Sequence, residues 1–325
     1  MTNDRGTPRV TVVSGGVGAA RFLAGLRQVV APSHITAVVN TADDTTVHGL
    51  AICPDLDTIT YTLAGAIDPD RGWGLAGESW RAMEGLARFQ PAKPPGSEAG
   101  ATWFNLGDVD LATHLYRTGR LAEGARLTDI ADEVRSAWGV DVRLLPMSDE
   151  RVATRFVLAT GEEVGFQDYF VRLRHAVPVT SVRFDADGAR LSTESAAALA
   201  DTDVVVIAPS NPIVSIGPIR ALPDVDRLLA ARRDSVVAVS PIVGGVALKG
   251  PADRLMAELG HDPSVVGVAR LYAPIGATLV IDPVDALLAS DVEAAGMRPV
   301  VVASVMSSPD VAAHLASTTV DAARD

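Results

Sequence analysis

The sequence is poor in cysteine and in long apolar runs, and each shortage excludes a class of protein. Its one cysteine, Cys53, cannot form an intramolecular disulfide, and one thiol cannot build a cysteine-based zinc site. No apolar run approaches the ~18 residues that a membrane-spanning helix needs. The opening stretch MTNDRGTPRV lacks the apolar segment of a signal peptide. We therefore expect a soluble, cytoplasmic protein that has no membrane partner.

Basic residues are also scarce, and lysine above all. The chain carries 28 lysines and arginines against 40 aspartates and glutamates, so its net charge is −12. Only Lys93 and Lys249 are lysines, and no run of basic residues occurs. Because a nucleic-acid-binding protein normally presents a basic face, this composition argues against a DNA or RNA partner.

Several motifs of covalent and metal catalysis are missing as well. The histidines show neither HxH nor HExxH spacing, and the nucleophile-elbow pattern GxSxG does not occur. The phosphate-binding pattern GxxxxGK[ST] is absent too. The chemistry that remains is the positioning of phosphates and a metal ion, without a covalent nucleophile.

Six short, continuous apolar runs are typical of parallel strands that are buried on both faces. They lie at 10–14, 35–40, 203–210, 235–240, 277–281 and 298–303. Helical patterns occupy 17–30, the stretch after Pro54, 78–89, 110–119 and 128–138. We predict a doubly wound, three-layer, Rossmann-like α/β fold with a mostly parallel sheet. The length of 325 residues, 48% of them apolar, suits a single α/β nucleotide-binding domain over 1–325.

One segment departs from this rhythm. Between 141 and 191 apolar and polar residues alternate, and turn signals occur at ATGEE and DADGA. Alternation broken by such turns indicates antiparallel hairpins. We therefore predict a β-hairpin-rich insertion over 141–191 within the α/β domain.

The first predicted strand ends in the glycine-rich sequence SGGVGAAR. A dinucleotide fingerprint needs a small residue where Arg21 stands, and an acidic residue at the end of the second strand, where the chain has Asn40. Gly15, Gly16 and Gly18 nevertheless leave backbone N–H groups open at a helix N-terminus, where an anion can bind. We predict a phosphate contact at these glycines, the alternative being a tight structural turn.

Four aspartates follow the second predicted strand closely. Asp43, Asp44, Asp55 and Asp57 lie at the carboxyl end of that strand, beside the predicted phosphate contact. Carboxylates that converge next to a phosphate suit Mg²⁺, which keeps waters and phosphate oxygens as its other ligands. We predict a Mg²⁺ site in which Asp43 and Asp57 are the main ligands and catalytic residues, supported by Asp44 and Asp55. Because Asp55 follows Pro54, the alternative is that it caps a helix.

The strand at 203–210 is followed by PSNPIVSIGP. The prolines restrict the backbone, while Ser210, Asn211, Ser215 and Gly217 supply hydrogen-bonding groups. We predict that these four residues bind the substrate, against the alternative of a rigid connector. In a doubly wound sheet this loop lies at the same edge as the first glycine-rich loop.

Eight motifs, in this order along nearly the whole chain, resemble those of the 2-phospho-L-lactate transferase family. Within that family the sequence is most similar to the actinobacterial phosphoenolpyruvate transferases of coenzyme F-420 biosynthesis. The motifs are GGVGAARFLAGL, VVNTADDTTVHGLAICPDLDTITYTL, DPDRGWG, LGDVDLATHL, LLPMSD, FQDYFVR, APSNPIVSIGPI and the pair SPIVGG and KGPA.

The resemblance implies a reaction and its partners. The donor is a guanosine diphospho-diester, guanosine-diphospho-enolpyruvate or its lactyl analogue, whose distal phosphate carries the three-carbon acid. The acceptor is the deazaflavin Fo, whose ribityl hydroxyl attacks that phosphorus and displaces GMP while Mg²⁺ bridges the phosphates. The resemblance also implies that Asp57 lies at the Fo site, that Asn105 contacts substrate near LGD, and that the protein is a homodimer.

Two other functions stay open at this point. The first is that of a non-catalytic regulatory protein of the same superfamily, which binds a sugar nucleotide through a similar glycine loop. The PDLDT and LGDVDLATH stretches weigh against this function. An NAD-dependent dehydrogenase is disfavoured by Arg21 and Asn40.

Overall fold

Seven parallel strands form the central sheet of the structure, a computed structural model that describes residues 6–324. Within that range the strands are β1 Val10–Ser14, β2 Ile35–Val39, β3 Thr45–Val47, β4 Leu50–Ile52, β5 Arg143–Pro146, β6 Ala153–Leu158, β7 Glu163–Gly165, β8 Val179–Asp185, β9 Val204–Ile207, β10 Val236–Val239, β11 Ile242–Val243, β12 Val246–Ala247, β13 Thr278–Ile281 and β14 Arg298–Val301. The order across the central sheet is β14-β13-β10-β9-β1-β2-β5, and every neighbouring pair is parallel.

Helices cover both faces of this sheet. The α-helices within residues 6–324 are α1 Val17–Leu26, α2 Pro54–Leu63, α3 Arg81–Ala87, α4 Asp110–Ala122, α5 Leu127–Ala137, α6 Thr193–Ala200, α7 Ile216–Ala221, α8 Val225–Ala230, α9 Ala252–Glu258, α10 Val265–Tyr272, α11 Ala289–Ala294 and α12 Pro309–Ala322. One apolar cluster joins α1, α2, α5 and α12 to the sheet, and another joins α6 to α11 to its opposite face. The predicted doubly wound, three-layer fold is confirmed. In the described range no helix is both long and apolar enough to cross a membrane.

Strand β1 illustrates why the sheet needs a cover on both faces. Val10 and Val12 belong to the cluster that contains α1 and α12, whereas Val13 belongs to the cluster on the other face. Successive side chains of a strand point to opposite faces of the sheet. Because helices cover both faces, all three valines are buried. A strand of this kind has a continuous apolar sequence, which is the pattern that predicted it.

The predicted N-terminal boundary of the insertion, residue 141, is wrong. Arg143–Pro146 forms β5, the edge strand of the central sheet, and pairs in parallel with β2. The antiparallel part is the three-stranded sheet β7-β6-β8, between Ala153 and Asp185. Strand β5 contributes only three buried residues after an exposed Arg143, so its apolar run is too short to stand out from the alternating sequence that follows.

A short hairpin of β3 and β4, which the sequence analysis did not predict, folds the aspartate-rich segment back on itself. Its turn contains His48 and Gly49, both with left-handed φ. The strands pair Thr45 with Ile52. The residues that precede and follow the hairpin therefore lie side by side, although about ten positions separate them in sequence.

Helix α1 packs so closely against α12 that Gly25 has no room for a side chain. A Cβ at Gly25 would lie 2.4 Å from the carbonyl carbon of Ala312. We expect Gly25→Ala to lower the free energy of unfolding by about 1–3 kcal/mol, because the extra methyl forces the helices apart.

Chemical denaturation measures this loss, and Gly119 of α4 supplies a matched control. Gly119 is exposed and faces open space, so Gly119→Ala should raise the free energy of unfolding by about 0.5–1 kcal/mol. A Gly25→Ala protein as stable as the wild type would contradict the close helix contact.

Candidate functional site

The predicted loops meet where the chain reverses its direction across the sheet. Strands β1 and β9 are neighbours, but the chain continues from β1 to β2 on one side and from β9 to β10 on the other. Doubly wound sheets bind ligands at the carboxyl ends of such a pair. Here those ends carry Gly15–Gly18, the glycine loop, and Pro209–Ser215, the proline loop.

The glycine loop and the proline loop are in direct contact. The backbone N–H of Gly15 donates to Ser210 Oγ at 3.2 Å. A Cβ on Gly15 would lie 2.5 Å from Ser215 Cβ, and one on Gly18 would lie 2.0 Å from the carbonyl oxygen of Pro209. Neither glycine has a left-handed φ. The close approach of the two loops, rather than backbone conformation, is therefore what requires glycine here.

Helix α1 points its N-terminus at the space above these loops. The helix begins at Val17 with Gly16 as its N-cap, and no side chain caps it. The first N–H groups of a helix have no intrahelical acceptor and carry the positive end of the helix dipole. They adjoin a cavity of about 550 Å³ that Gly16, Val17 and Gly18 line. This is the geometry of an anion site.

We call this cavity the polar pocket, because both signs of charge line it. Its cationic side chains are the exposed Arg21 and Lys249, and its carboxylates are Asp43 and Asp55. Its neutral polar lining residues include Ser210, Asn211, Ser215, Ser240 and Ser304. The pocket therefore offers cations to a polyanion and carboxylates to a metal ion.

Asn40, directly after β2, orients the carboxylate of Asp55. Its Nδ2 donates to Asp55 Oδ2 at 3.0 Å, and its Oδ1 accepts from the backbone N–H of Ala42 at 3.0 Å. Burial, followed by the negative charges of Asp55 and Asp44, raises the pKa of Asp43 well above its ordinary value. Burial also raises the pKa of Asp55 to about 6.

These carboxylates lack a basic partner within the described part of the chain. Hydrogen bonds from Asn40 and Thr154 oppose the rise in the pKa of Asp43, and no arginine or lysine among residues 6–324 does so. One carboxylate oxygen of Asp44 is buried without a hydrogen-bond donor. A divalent cation would relieve this repulsion, and Mg²⁺ prefers oxygen ligands. The donor set of Asp43 and Asp55 therefore fits Mg²⁺.

A second cavity, of about 340 Å³, adjoins the polar pocket, and we call it the apolar pocket. Its apolar lining includes Tyr61, Trp73, Trp103, Phe104, Leu106 and Val171. Asp57, Asp110 and His114 also line it. Pro54 and Gln167 line both cavities, so the two pockets share a wall.

Asp57 differs from Asp43 because an arginine already neutralises it. Arg117, 2% exposed, donates from Nη1 to Asp57 Oδ2 at 3.1 Å and from Nη2 to Asp57 Oδ1. Burial lowers the pKa of the Arg117 guanidinium, but the charge of Asp57, together with its hydrogen bonds and the charges of other acidic neighbours, raises that pKa above its ordinary value. Burial also raises the pKa of Asp57 against the opposing charge of Arg117, so each partner of the buried pair depends on the other.

Asp57, Asp110 and His114 form a second cluster of metal-ligand type, with one donor atom of each within 4.8 Å of the others. His114 Nε2 lies 3.4 Å from Asp110 Oδ2, and the Tyr61 hydroxyl donates to Asp110 Oδ1 at 2.5 Å. Arg117 thus donates hydrogen bonds to the carboxylate of Asp57, and Tyr61 donates one to that of Asp110. A cation is needed less here than beside Asp43.

The structure divides the predicted site residues between the two pockets. The polar pocket contains Gly16, Gly18, Asp43, Asp55, Ser210, Asn211 and Ser215, whereas the apolar pocket contains Asp57 and Asn105. Asp43 and Asp57, predicted as the two main ligands of one ion, therefore face different cavities. Asp44 lines neither cavity.

Gly217, for which the sequence predicts substrate binding, is half-buried and lies outside both pockets. It lies in the first turn of α7. A Cβ on Gly217 would lie 3.2 Å from Cζ of Phe184 in β8. Asn211 has a structural part as well, because its Oδ1 accepts from the backbone N–H groups of Ile213 and Val214.

The sequence analysis missed several residues that build the apolar pocket and its surroundings. These are Tyr61, Trp73, Trp103, His114, Arg117 and Gln167. His114 and Gln167 stand inside the motifs LGDVDLATHL and FQDYFVR, which was the one available signal. Arg117 gave none, because a single arginine on an amphipathic helix is usually a surface residue.

Together the fold and the site define an α/β protein in which an uncapped helix N-terminus opens into a cavity at the topological switch point, beside a second cavity with aromatic lining. The profile of a family described as 2-phospho-L-lactate transferase CofD matches residues 10–315, and the chain belongs to that family. The resemblance found in the sequence is thereby confirmed.

Curated relatives agree with this assignment, and a solved structure agrees with the fold. A phosphoenolpyruvate transferase of Mycobacterium tuberculosis (strain ATCC 25618 / H37Rv) is 40% identical over 331 aligned positions, which cover 94% of this chain and 96% of that protein. Another, of Mycobacterium avium (strain 104), is 42% identical and covers 84% and 86%. A crystal structure of a UPF0052 family member from Bacillus halodurans matches with a TM-score of 0.61 and 14% identity, covering 97% of this chain and 99% of that one. The last comparison shows the fold alone.

Removing either partner of the Asp57–Arg117 pair leaves a buried charge without compensation. We expect Arg117→Met and Asp57→Asn each to lower the free energy of unfolding by about 3–5 kcal/mol. The double variant should lose less than the sum of the two, because it leaves no buried charge unpaired. Chemical denaturation of the four proteins measures this coupling, and strictly additive losses would show that the pair does not form.

Proposed function

We propose that the protein is a transferase of coenzyme F-420 biosynthesis. It moves a phosphoenolpyruvyl, or 2-phospholactyl, group from a guanosine diphospho-diester to the ribityl hydroxyl of Fo and releases GMP. The observation that carries this proposal is that two pockets share a wall and differ in their lining. Charged side chains of both signs line the first, and aromatic side chains line much of the second. A charged diphosphate and a flat, mostly apolar ring each find a matching cavity, and their reacting ends meet at Pro54 and Gln167.

The polar pocket suits the donor. Its open helix N-terminus at Gly16 and the cations Arg21 and Lys249 match the negative charge of a diphosphate. Ser210 and Ser215 line the same space. The phosphates then lie above the switch point, and the rest of the nucleotide extends along the pocket.

Asp43 and Asp55 would hold Mg²⁺ at the phosphates. When bound, the ion neutralises charge on the phosphates and on the departing GMP. Asn40 and Thr154 orient the two carboxylates by hydrogen bonds, so the site is formed before the ion arrives.

The apolar pocket suits the acceptor. Trp73, Trp103 and Phe104 provide the aromatic walls that a tricyclic ring needs. Asp57 and Asp55 stand two positions apart in the first turn of α2, one in each pocket. Asp57, fixed by Arg117, would accept a hydrogen bond from the ribityl chain and orient it.

The chemistry then requires little more than alignment. The hydroxyl oxygen of Fo bonds to the distal phosphorus and its proton passes to the carboxylate of Asp57, while the bridging P–O bond breaks and its electrons leave with GMP. Two reactants held in line at about 3–3.5 Å gain several kcal/mol over free reactants in solution. No covalent enzyme intermediate is involved, in keeping with the absence of a nucleophile motif.

Incubation of the protein with Fo, Mg²⁺ and each synthetic donor, followed by mass detection of products, tests the proposal. The expected products are GMP and Fo carrying a phosphoenolpyruvyl or phospholactyl group. The competing regulatory function predicts no product and thermal stabilisation by UDP-N-acetylglucosamine in preference to GDP. The homodimer stays a prediction, which sedimentation would test.

The metal assignment makes a separate prediction. Asp43→Asn keeps the shape of the side chain but removes a negative charge from the proposed Mg²⁺ site. We expect weaker Mg²⁺ binding by calorimetry and a turnover at least about tenfold lower, partly restored at high Mg²⁺. Asp132→Asn, on the exposed face of α5, is the matched control and should behave as the wild type. Full activity of either protein in EDTA would refute the metal site.

A further inference from the structure

The segment Phe166–Arg172, which carries the motif FQDYFVR, lines both pockets, but none of its side chains has yet been assigned a contact with a substrate. It belongs to the insertion, and Asp168–Arg172 within it forms a π-helical turn. Such turns are rare, and they occur frequently at functional sites. Phe166 and Phe170 line the polar pocket, whereas Val171 lines the apolar pocket. The segment therefore forms part of the wall between them.

Gln167 is the polar residue of this wall that touches both cavities. Its side chain is 8% exposed, and its Nε2 donates to the backbone carbonyl oxygen of Asp43 at 2.8 Å. The acceptor is a carbonyl oxygen, so the group facing it must be the NH₂ of the amide. The orientation of the amide follows from this bond.

The other end of the amide is free. Among residues 6–324 no donor hydrogen-bonds to Gln167 Oε1, and this oxygen is not among the fully buried atoms. Because Gln167 lines both pockets, the exposed remainder of its side chain faces their junction. This amide oxygen is therefore open to the cavities and can accept a hydrogen bond from a ligand there.

We propose that Gln167 Oε1 accepts a hydrogen bond from a hydroxyl of the acceptor's ribityl chain and so fixes that chain at the donor phosphate. This inference rests on the proposed function, since it assigns a residue to the acceptor side of the same reaction. The amide suits the task because its NH₂ is held by Asp43, at the proposed metal site. The side chain of Gln167 thus sets the distance between the acceptor hydroxyl and Asp43, whose carboxylate lies beside the donor.

The insertion is tied to the metal loop by more than this one bond. The backbone N–H of Thr154 in β6 donates to the carbonyl oxygen of Ala42 at 2.9 Å. Asp43 is therefore held by β6 as well as by Gln167. Loss of the Gln167 amide alone should leave Asp43 in place, which separates its action on the acceptor from any structural effect.

Gln167→Met tests the proposal, because methionine has a similar volume but neither donates nor accepts a strong hydrogen bond. We expect kcat/KM for Fo to fall at least about tenfold, the equivalent of one lost hydrogen bond. The affinity for GDP should change less than about twofold, since the wall keeps its shape. The melting temperature should fall modestly, because the carbonyl oxygen of Asp43 loses its donor.

A truncated ligand makes the test specific to the ribityl chain. Calorimetry compares the binding of Fo with that of the deazaflavin ring without its ribityl chain. Gln167→Met should weaken the binding of Fo and leave the binding of the bare ring unchanged. Gln167→Ala repeats the comparison should the methionine variant not fold.

The matched control is Tyr169→Phe, two positions further along the same segment. It removes two hydrogen bonds of the hydroxyl, one donated to the carbonyl oxygen of Val177 at 3.1 Å and one accepted from Arg254 Nη2 at 2.6 Å, from a residue that lines neither pocket. It should lower stability and leave Fo kinetics unchanged.

Three results would overturn the proposal: normal Fo kinetics in Gln167→Met, equal weakening of Fo and the bare ring, or a parallel loss of GDP affinity and stability. If the wild type transfers nothing to Fo, the proposed function fails and this inference fails with it. If the wild type is active and the variant is normal, only the inference fails.

Discussion

The site depends on one close contact, between the start of helix α1 and the loop that follows strand β9. At Gly18 even a methyl group would overlap the carbonyl oxygen of Pro209, at 2.0 Å. This contact seats the helix N-terminus at the switch point of the sheet, where its free N–H groups open into a cavity. The Gly15–Ser210 hydrogen bond holds the same two loops from the other side. The polar pocket exists because the two loops approach each other this closely.

Charge compensation then distinguishes aspartates that look alike in the sequence. Asp57 is buried against Arg117 and has its counter-ion inside the protein. Asp43 and Asp55 repel one another beside an open cavity, and burial makes that repulsion stronger. The first arrangement fixes a side chain, whereas the second is the place proposed for Mg²⁺. Of the four acidic residues that form one group in the sequence, Asp43 and Asp55 line one pocket, Asp57 lines the other, and Asp44 lines neither.

The insertion contributes residues to the lining of both pockets. Its strand β6 and its residue Gln167 hydrogen-bond to the segment Ala42–Asp43, and Phe184 of β8 packs against Gly217 of α7. The small antiparallel sheet is thereby anchored at the segment after β2 and at α7. Its neighbouring residue Gln167, together with Pro54 of α2, forms the wall that the two pockets share.

The sequence by itself determined which segments form six of the seven strands of the parallel core. Strands such as β1 and β9 are buried on both faces, so their apolar runs are continuous and visible without any tertiary information. The glycine loop and the acidic segment were visible for a similar reason, since each is local in the chain. Edge strand β5 was not, because a strand with one exposed side and three buried residues resembles a hairpin sequence.

Only the tertiary structure decided which residues share a pocket. Arg117 meets Asp57 across sixty positions and Gln167 meets Asp43 across more than a hundred, and no local pattern records either pair. The assignment of Asp57 to one cavity and Asp43 to another follows from the β3–β4 hairpin between them and from what each carboxylate finds opposite it. Local sequence encodes backbone geometry and burial, whereas charge pairing depends on distances between elements that only the packed fold sets.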